Sequence, residues 1–337
     1  MIEGALRLIE QVQGAIFEGA IQPALYQLGL MAWSEEVFDG VRFALFGAIE
    51  VALAYILFRP LELWRPVERW GERWGERRAV RTDVVYTLVH RLGVVPAIIF
   101  LLLTPIGASI DGILRFEGYI PPTVEHLIPP LRDWPFATLL VYTVLIDLGE
   151  YWRHRLQHRV GWWWALHSLH HDQRQMTLWA DDRNHLLDDV LASVWSGTLA
   201  LLIGVAPEQY PLVMIAFRLI ESLAHTNVRL GFGRIGGAFL VGPHYHRLHH
   251  AIEHARAPFD RTMGCNFAVI LPVWDALFGT RRRDPAFPPT GVANLSGPEV
   301  RCGYLRHQLE GVRRLLAALA RLADRRRSGF VAALSRE

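Results

Sequence analysis

Eleven of the fifteen histidines in this 337-residue chain fall between residues 154 and 250, and their spacing restricts what the chain can fold into. The series runs His154-x3-His158, His167-x2-His170-His171, His185, His225, His244 and His246-x2-His249-His250. Intervals of three and four residues place side chains on one face of a helix. The first pair therefore presents two imidazoles together, and each HxxHH run presents three. The intervening chain has to return these helix ends to one place if the clusters are to meet.

The segments around the clusters are apolar. Residues 41–58, 83–103, 136–152, 186–206 and 210–224 are each apolar enough to cross a bilayer or enter it deeply. Several are interrupted by charge, as by Arg42 and Glu50 in the first, His90 and Arg91 in the second, and Arg218 and Glu221 in the last. Such groups have to face a protein interior or snorkel. Apolar residues make up 51% of the chain and charged residues 20%, with a mean hydropathy of +0.18, which excludes disorder, collagen and coiled coil. Large soluble helices are the alternative to membrane spans.

Arginine orients the membrane reading. Five crossings leave 29 Arg on one side (seven in 59–81, five in 153–183, seventeen in 225–337) and three on the other. The positive-inside rule makes the rich side cytoplasmic. The hairpin 186–224 then returns His185 and His225 to the side of the other clusters. The expectation is an all-α, multi-pass membrane bundle of four or five embedded helices. Its histidine-rich cap and C-terminus are cytoplasmic.

The remaining segments fit that plan. Residues 1–40 read as an amphipathic N-terminal segment without a signal peptide, since Glu3, Arg7, Glu10 and Glu18 interrupt any apolar run. Residues 41–135 read as membrane helices and loops, with a far-side loop at 106–135. The catalytic domain is expected over 136–280, a linker over 281–296, and a basic amphipathic tail in 281–337 that lies at the membrane surface. Cys265 and Cys302 are too few for a disulfide framework. All 35 basic residues are Arg, a coding bias rather than a nucleic-acid patch.

Imidazoles with few carboxylates and no thiolates suit iron, copper, zinc or nickel, and exclude magnesium or calcium as the principal ion. Eight or nine histidines exceed the needs of one ion, so two metals are implied. No HExxH is present, which disfavours a zinc protease. Asp147 and Tyr151 continue the face of His154. Asp147 can orient a metal-bound imidazole, or it can be a buried, hydrogen-bonded aspartate with no metal near. Trp162, Trp163, Trp164 and Trp179 fit an interfacial belt. His90, His126, His244, His254 and His307 read as bystanders.

Taken together, these motifs resemble the sterol desaturase and fatty acid hydroxylase superfamily of integral-membrane di-iron enzymes. The matching stretches are Asp147-x3-Tyr151-x2-His154-Arg155-x2-His158, His167-Ser168-Leu169-His170-His171, Arg183-Asn184-His185-Leu186-Leu187-Asp188, His225-Thr226-Asn227-Val228, Pro243-His244-Tyr245-His246-Arg247-Leu248-His249-His250 and Trp274-Asp275-Ala276-Leu277-Phe278-Gly279-Thr280. The resemblance implies that His154, His158, His167, His170, His171, His225, His246, His249 and His250 ligate two iron ions. It places His185 near the metals, as ligand or supporting group, and Asn227 beside them. Members usually have proline after the histidine at 185, where this chain has Leu186.

The implied activity is hydroxylation of a lipid C–H bond, with O2 as co-substrate and two electrons from a separate donor protein. No cytochrome-b5-like domain is expected in residues 281–337, which are too short and too Arg-rich. Sterol, fatty acyl and related lipids all fit, and desaturation at the same site is the alternative. A reading of another class is a non-catalytic membrane protein binding metal or haem. Haem needs only one or two axial residues and leaves the two HxxHH runs unexplained.

Overall fold

Backbone amides in an apolar setting have no water to bond, so long apolar runs have to become helices. The computed structural model describes residues 2–69, 74–92, 94–120, 122–205, 210–252, 264–293 and 303–334, and these are helices and connections. The main helices are α1 (Ile2–Ile16), α2 (Ser34–Trp64), α3 (Trp74–Arg91), α4 (Val94–Phe116), α5 (Pro135–Arg159), α6 (Gly161–His171), α7 (Leu186–Ile203), α8 (Tyr210–His225), α9 (Pro243–His249) and α10 (Tyr304–Leu334). Among the described residues there is no strand, only an isolated bridge between Ala251 and Thr290.

Three helical stretches are long and apolar enough to cross a membrane: Met31–Trp64, Ala97–Phe116 and Leu186–Ile203, with mean hydropathies of 1.9, 2.0 and 1.6. The stretch expected at 83–103 is divided, because α3 ends at Arg91. The buried Arg91 guanidinium binds Asp182 at 2.9 Å, Ser222 at 2.8 Å and Asp181, which fixes that helix end inside the polar part of the molecule. Helix α4 then runs on to Phe116 across Pro105 and Gly107, where the sequence suggested a loop. The Ser109 hydroxyl donates to the Pro105 carbonyl one turn back at 2.8 Å.

The stretches 136–152 and 210–224 are helical but fall short of membrane-length apolar helices. Both contribute one face to the interior. Tyr142 and Ile146 of α5 pack with Val213 and Phe217 of α8 and with Val269 and Ile270. Helix α5 also packs on α6 and α7, while α10 lies along α6. Close approach fixes two crossings. A Cβ on Gly149 of α5 would stand 2.1 Å from Cδ2 of Leu199 in α7, and one on Gly47 of α2 would stand 1.6 Å from the Arg91 carbonyl oxygen.

Candidate metal centre

Four helix ends deliver the histidines. His154 and His158 close α5, His167, His170 and His171 close α6, His225 ends α8, and His246 and His249 lie in α9 with His250 at its cap. All nine are buried. They divide into two groups: His154, His158, His167, His171 and His249, and then His170, His225, His246 and His250. Within each group the candidate ligand atoms lie within 4.8 Å of one another. Consecutive histidines 170 and 171 thus serve different groups, which the three-residue and four-residue spacing of HxxHH permits.

The nitrogens face inward. Nε2 of His225 is 3.2 Å from Nε2 of His170 and 3.1 Å from that of His246, which in turn is 3.1 Å from that of His250. In the other group, Nε2 atoms of His249 and His171 are 3.1 Å apart. Imidazole nitrogens about 2.1 Å from a shared cation stand roughly 3.0 to 3.4 Å apart along a coordination edge. Buried Nε2 atoms of His158 and His167 have no hydrogen-bond partner. Converging, orphaned imidazole nitrogens are a donor set that fits transition metals, and each group can hold a metal ion.

Burial first, and repulsion among neighbouring imidazoles second, push His154, His158, His170, His171, His246 and His250 well below the usual histidine value. Burial also lowers His225, against the opposing pull of the Asp181 carboxylate. Neutral rings keep the lone pair that a metal needs.

The opposite ring edge sets orientation. His154 Nδ1 donates to the Phe267 carbonyl at 2.9 Å and His249 Nδ1 to the Cys265 carbonyl at 2.7 Å. His167 Nδ1 lies 3.2 Å from Asp188 Oδ2, and that buried carboxylate also accepts from Trp163 Nε1 at 2.7 Å and Gln157 Nε2 at 2.9 Å. In the second group, His225 Nδ1 meets the Glu221 carbonyl at 2.8 Å and Asp181 Oδ1 at 3.4 Å. These bonds select the tautomer that leaves Nε2 free for metal.

The two carbonyls belong to a strap, residues 264–271, that is held at its middle and its C-terminal end by carboxylates. Asp275 accepts from the amides of Phe267 and Ala268 at 2.8 Å each, from the Tyr245 hydroxyl at 2.8 Å and from the Thr280 hydroxyl at 2.6 Å. Asp147 accepts from the amides of Ile270 at 2.8 Å and Leu271 at 2.9 Å, and from Trp274 Nε1 at 2.8 Å. Asn266, between the Cys265 and Phe267 carbonyls, takes a positive φ of 57° and donates through Nδ2 to the carbonyls of Tyr245 and Arg282.

Asp147 is therefore the buried, hydrogen-bonded aspartate of the two alternatives, acting on the strap and through it on His154. Asn227 does not face the histidines through its hydrogen bonds. Its Oδ1 accepts from the amides of Val67 and Glu68 at 3.1 Å each and its Nδ2 donates to the Glu68 carbonyl at 2.8 Å, pinning the chain that leaves α2. His185 belongs to neither group. It caps α7 by accepting from the Leu187 amide at 3.1 Å, and its Nε2 donates to the Gln308 carbonyl at 2.8 Å. Trp163 and Trp164 are buried against the site rather than set in a belt, with the Trp164 ring 4.8 Å from that of His158. Among the expected bystanders, His244 bonds the Ala286 carbonyl and His90 pairs with Asp189, while His254 lies outside the described residues.

Sequence reasoning passed over Asp188, Asp181 and the strap. Asp188 stands within the quoted Arg183-to-Asp188 stretch, and the Trp274-Asp275 pair marks the strap's anchor, but neither shows its partner in the linear order.

The fold and the paired groups define a class: a helical protein with membrane-length helices and two buried histidine clusters that could hold metal. The fatty acid hydroxylase family model matches residues 139–280, a segment that holds all nine histidines. Over this segment, which is less than half of the chain, the protein is similar to the sterol desaturase and fatty acid hydroxylase superfamily.

Among curated relatives, alkylglycerol monooxygenase of Homo sapiens is 32% identical over 136 residues, covering 40% of this chain and 28% of that protein. Ornithine lipid hydroxylase OlsE of Rhizobium tropici is 27% identical over 161 residues, covering 48% of this chain and 46% of that protein. Delta(7)-sterol 5(6)-desaturase ERG3B of Gibberella zeae is 28% identical over 118 residues, covering 35% and 36%. The chain thus spans less than half the length of these relatives. No solved structure matches it significantly.

Proposed function

We propose that this protein is a membrane-bound di-iron oxygenase that uses O2 and two external electrons to hydroxylate a C–H bond of a lipid. The observation that carries the reading is the division of nine buried histidines into converging groups of five and four. A bound iron pair would supply the activation of O2 against an unactivated C–H bond.

The chain's own residues do the rest. The two groups hold the irons, the strap carbonyls and Asp188 orient the first group, and Asp181 with the Glu221 carbonyl orients His225. Phe267 and Trp164 pack on His158, with ring centroids at 5.2 and 4.8 Å, and keep water from the imidazoles on that side. Helices α5 and α6, which carry five of the histidines, pack on membrane-length helix α7, and a lipid would approach laterally from the bilayer along it. Arginine distribution supports a multi-pass arrangement with the cap and C-terminus cytoplasmic. Electrons would come from a separate protein, a reductase, ferredoxin or cytochrome.

The names of the human and Rhizobium relatives support hydroxylation of a lipid, and the sterol desaturase match supports desaturation as the second reading. The test is turnover of a lipid panel by the purified, iron-loaded protein with a reductase under 18O2. One labelled oxygen atom per product is expected. A product that has lost two hydrogens and carries no label would select desaturation, and no product from any lipid class would overturn the oxygenase reading.

A further inference from the structure

Helix α10 lies outside the segment matched by the family model and has three faces rather than two. One face is buried against the cap. Gly311 is needed there, because a Cβ would stand 2.2 Å from Cδ2 of His185. Gln308 on the same face bonds the Asn184 carbonyl at 2.9 Å, and Arg314 reaches the Ser168 hydroxyl at 3.2 Å and Asp172 at 3.7 Å. A second face is charged and carries Arg306, Glu310, Arg313, Arg321 and Asp324.

The third face is an apolar stripe. Leu305, Leu309, Val312, Leu316 and Leu319 follow one another at intervals of four and three residues and are exposed at 75, 63, 37, 60 and 44%. A helix lying on a water-soluble body turns its apolar stripe inward. Here the inward face is a different one, and the stripe stays outside between the buried and charged faces. It extends over fifteen residues, about 22 Å of helix.

Two observations identify what covers it. Gln308, between Leu305 and Leu309, holds the first turn of membrane-length helix α7: its Oε1 accepts from the Leu186 amide at 2.9 Å and its carbonyl from His185 Nε2 at 2.8 Å. Leu186 and Leu187 are themselves exposed there, so the stripe starts at the apolar surface of a membrane helix. The neighbouring face is rich in arginine, and the sequence continues with Arg325, Arg326 and Arg327.

We propose that α10 is an interfacial helix that seats the metal cap on an anionic leaflet. Its leucine stripe enters the acyl boundary of the bilayer that holds α7, its arginines meet anionic headgroups, and its buried face grips α6, which bears His167, His170 and His171. The proposal rests on the membrane-length helices and is independent of the reaction catalysed.

The test uses the full chain in nanodiscs of phosphatidylcholine with and without phosphatidylglycerol. Spin labels are placed one at a time through Leu305→Cys, Leu309→Cys, Leu316→Cys, Arg306→Cys and Arg313→Cys in a Cys302→Ser background, each variant melting as the parent does. Labels on the stripe should collide with lipid-soluble oxygen more than with an aqueous nickel chelate, and lie deeper when phosphatidylglycerol is present. Labels at 306 and 313 should show the reverse preference. A stripe that favours the chelate would overturn the proposal. So would shielding from both reagents with spin–spin broadening, which would mean that a second copy covers it. Equal depth in both lipids would overturn the anionic preference.

Discussion

The two histidine groups use one side chain and hold it in different ways. In the five-histidine group, His154 and His249 are fixed by carbonyls of a strap that two carboxylates anchor, and His167 by Asp188. In the four-histidine group, His225 is held by Asp181 and a helix carbonyl, while the buried Nδ1 atoms of His170 and His250 have no partner. The contrast separates two routes to a metal site. Three of the five rings in the first group are oriented by hydrogen bonds already present in the fold, while its His171 Nδ1 has no partner. The second depends more on its rings meeting one another about a shared ion.

The largest expected effect is common to both groups. His249→Ala and His170→Ala should each abolish turnover and lower iron content while the chain stays folded; retained activity in either would sink the mechanism. Acid should come next. Burial holds six of these histidines below their ordinary value of 6.5, so each contributes stability above that pH and loses it as pH falls. Below 6.5 the unfolded chain takes protons that the folded state refuses, at about 1.4 kcal/mol per histidine per pH unit. Thermal melts of metal-free protein from about pH 7.5 to 5.5 should fall steeply. A flat profile would mean that the rings are solvated.

Two smaller effects would sharpen the contrast. Asp275→Ala strips an acceptor from the Phe267 and Ala268 amides and from the Tyr245 and Thr280 hydroxyls. Each buried group left unsatisfied costs about 1–3 kcal/mol. The melt should drop, with iron lost first from the five-histidine group. Asp188→Asn should leave the fold intact and weaken iron binding in that group by about 10–100-fold, the range for a partner that orients a ligand. Chelator competition measures it, and an unchanged affinity would remove Asp188 from the account.

The helical class and the convergence of the histidines were legible because helical periodicity is local: His154/His158 and the HxxHH runs share a face wherever the helices go. Their assignment between groups was not, since His170 and His171 are neighbours in sequence and part company only when α8 and α9 arrive. Where the charges within the apolar runs go was not legible either. Arg91 and Asp147 sit in apolar runs, and hydropathy does not reveal that partners more than 80 residues away draw such groups inward, as Asp181 and Asp182 do for Arg91 and the amides of Ile270 and Leu271 do for Asp147. Asp188 and the strap escaped because a carboxylate's role is written in its donors, which come from 21 to 31 residues upstream for Asp188.

The most direct test is metal content per chain, by elemental analysis of detergent-purified protein after anaerobic ferrous loading. Close to two irons are expected in the parent, with losses in both His249→Ala and His246→Ala. Zinc alone, or no metal after loading, would contradict a di-iron site.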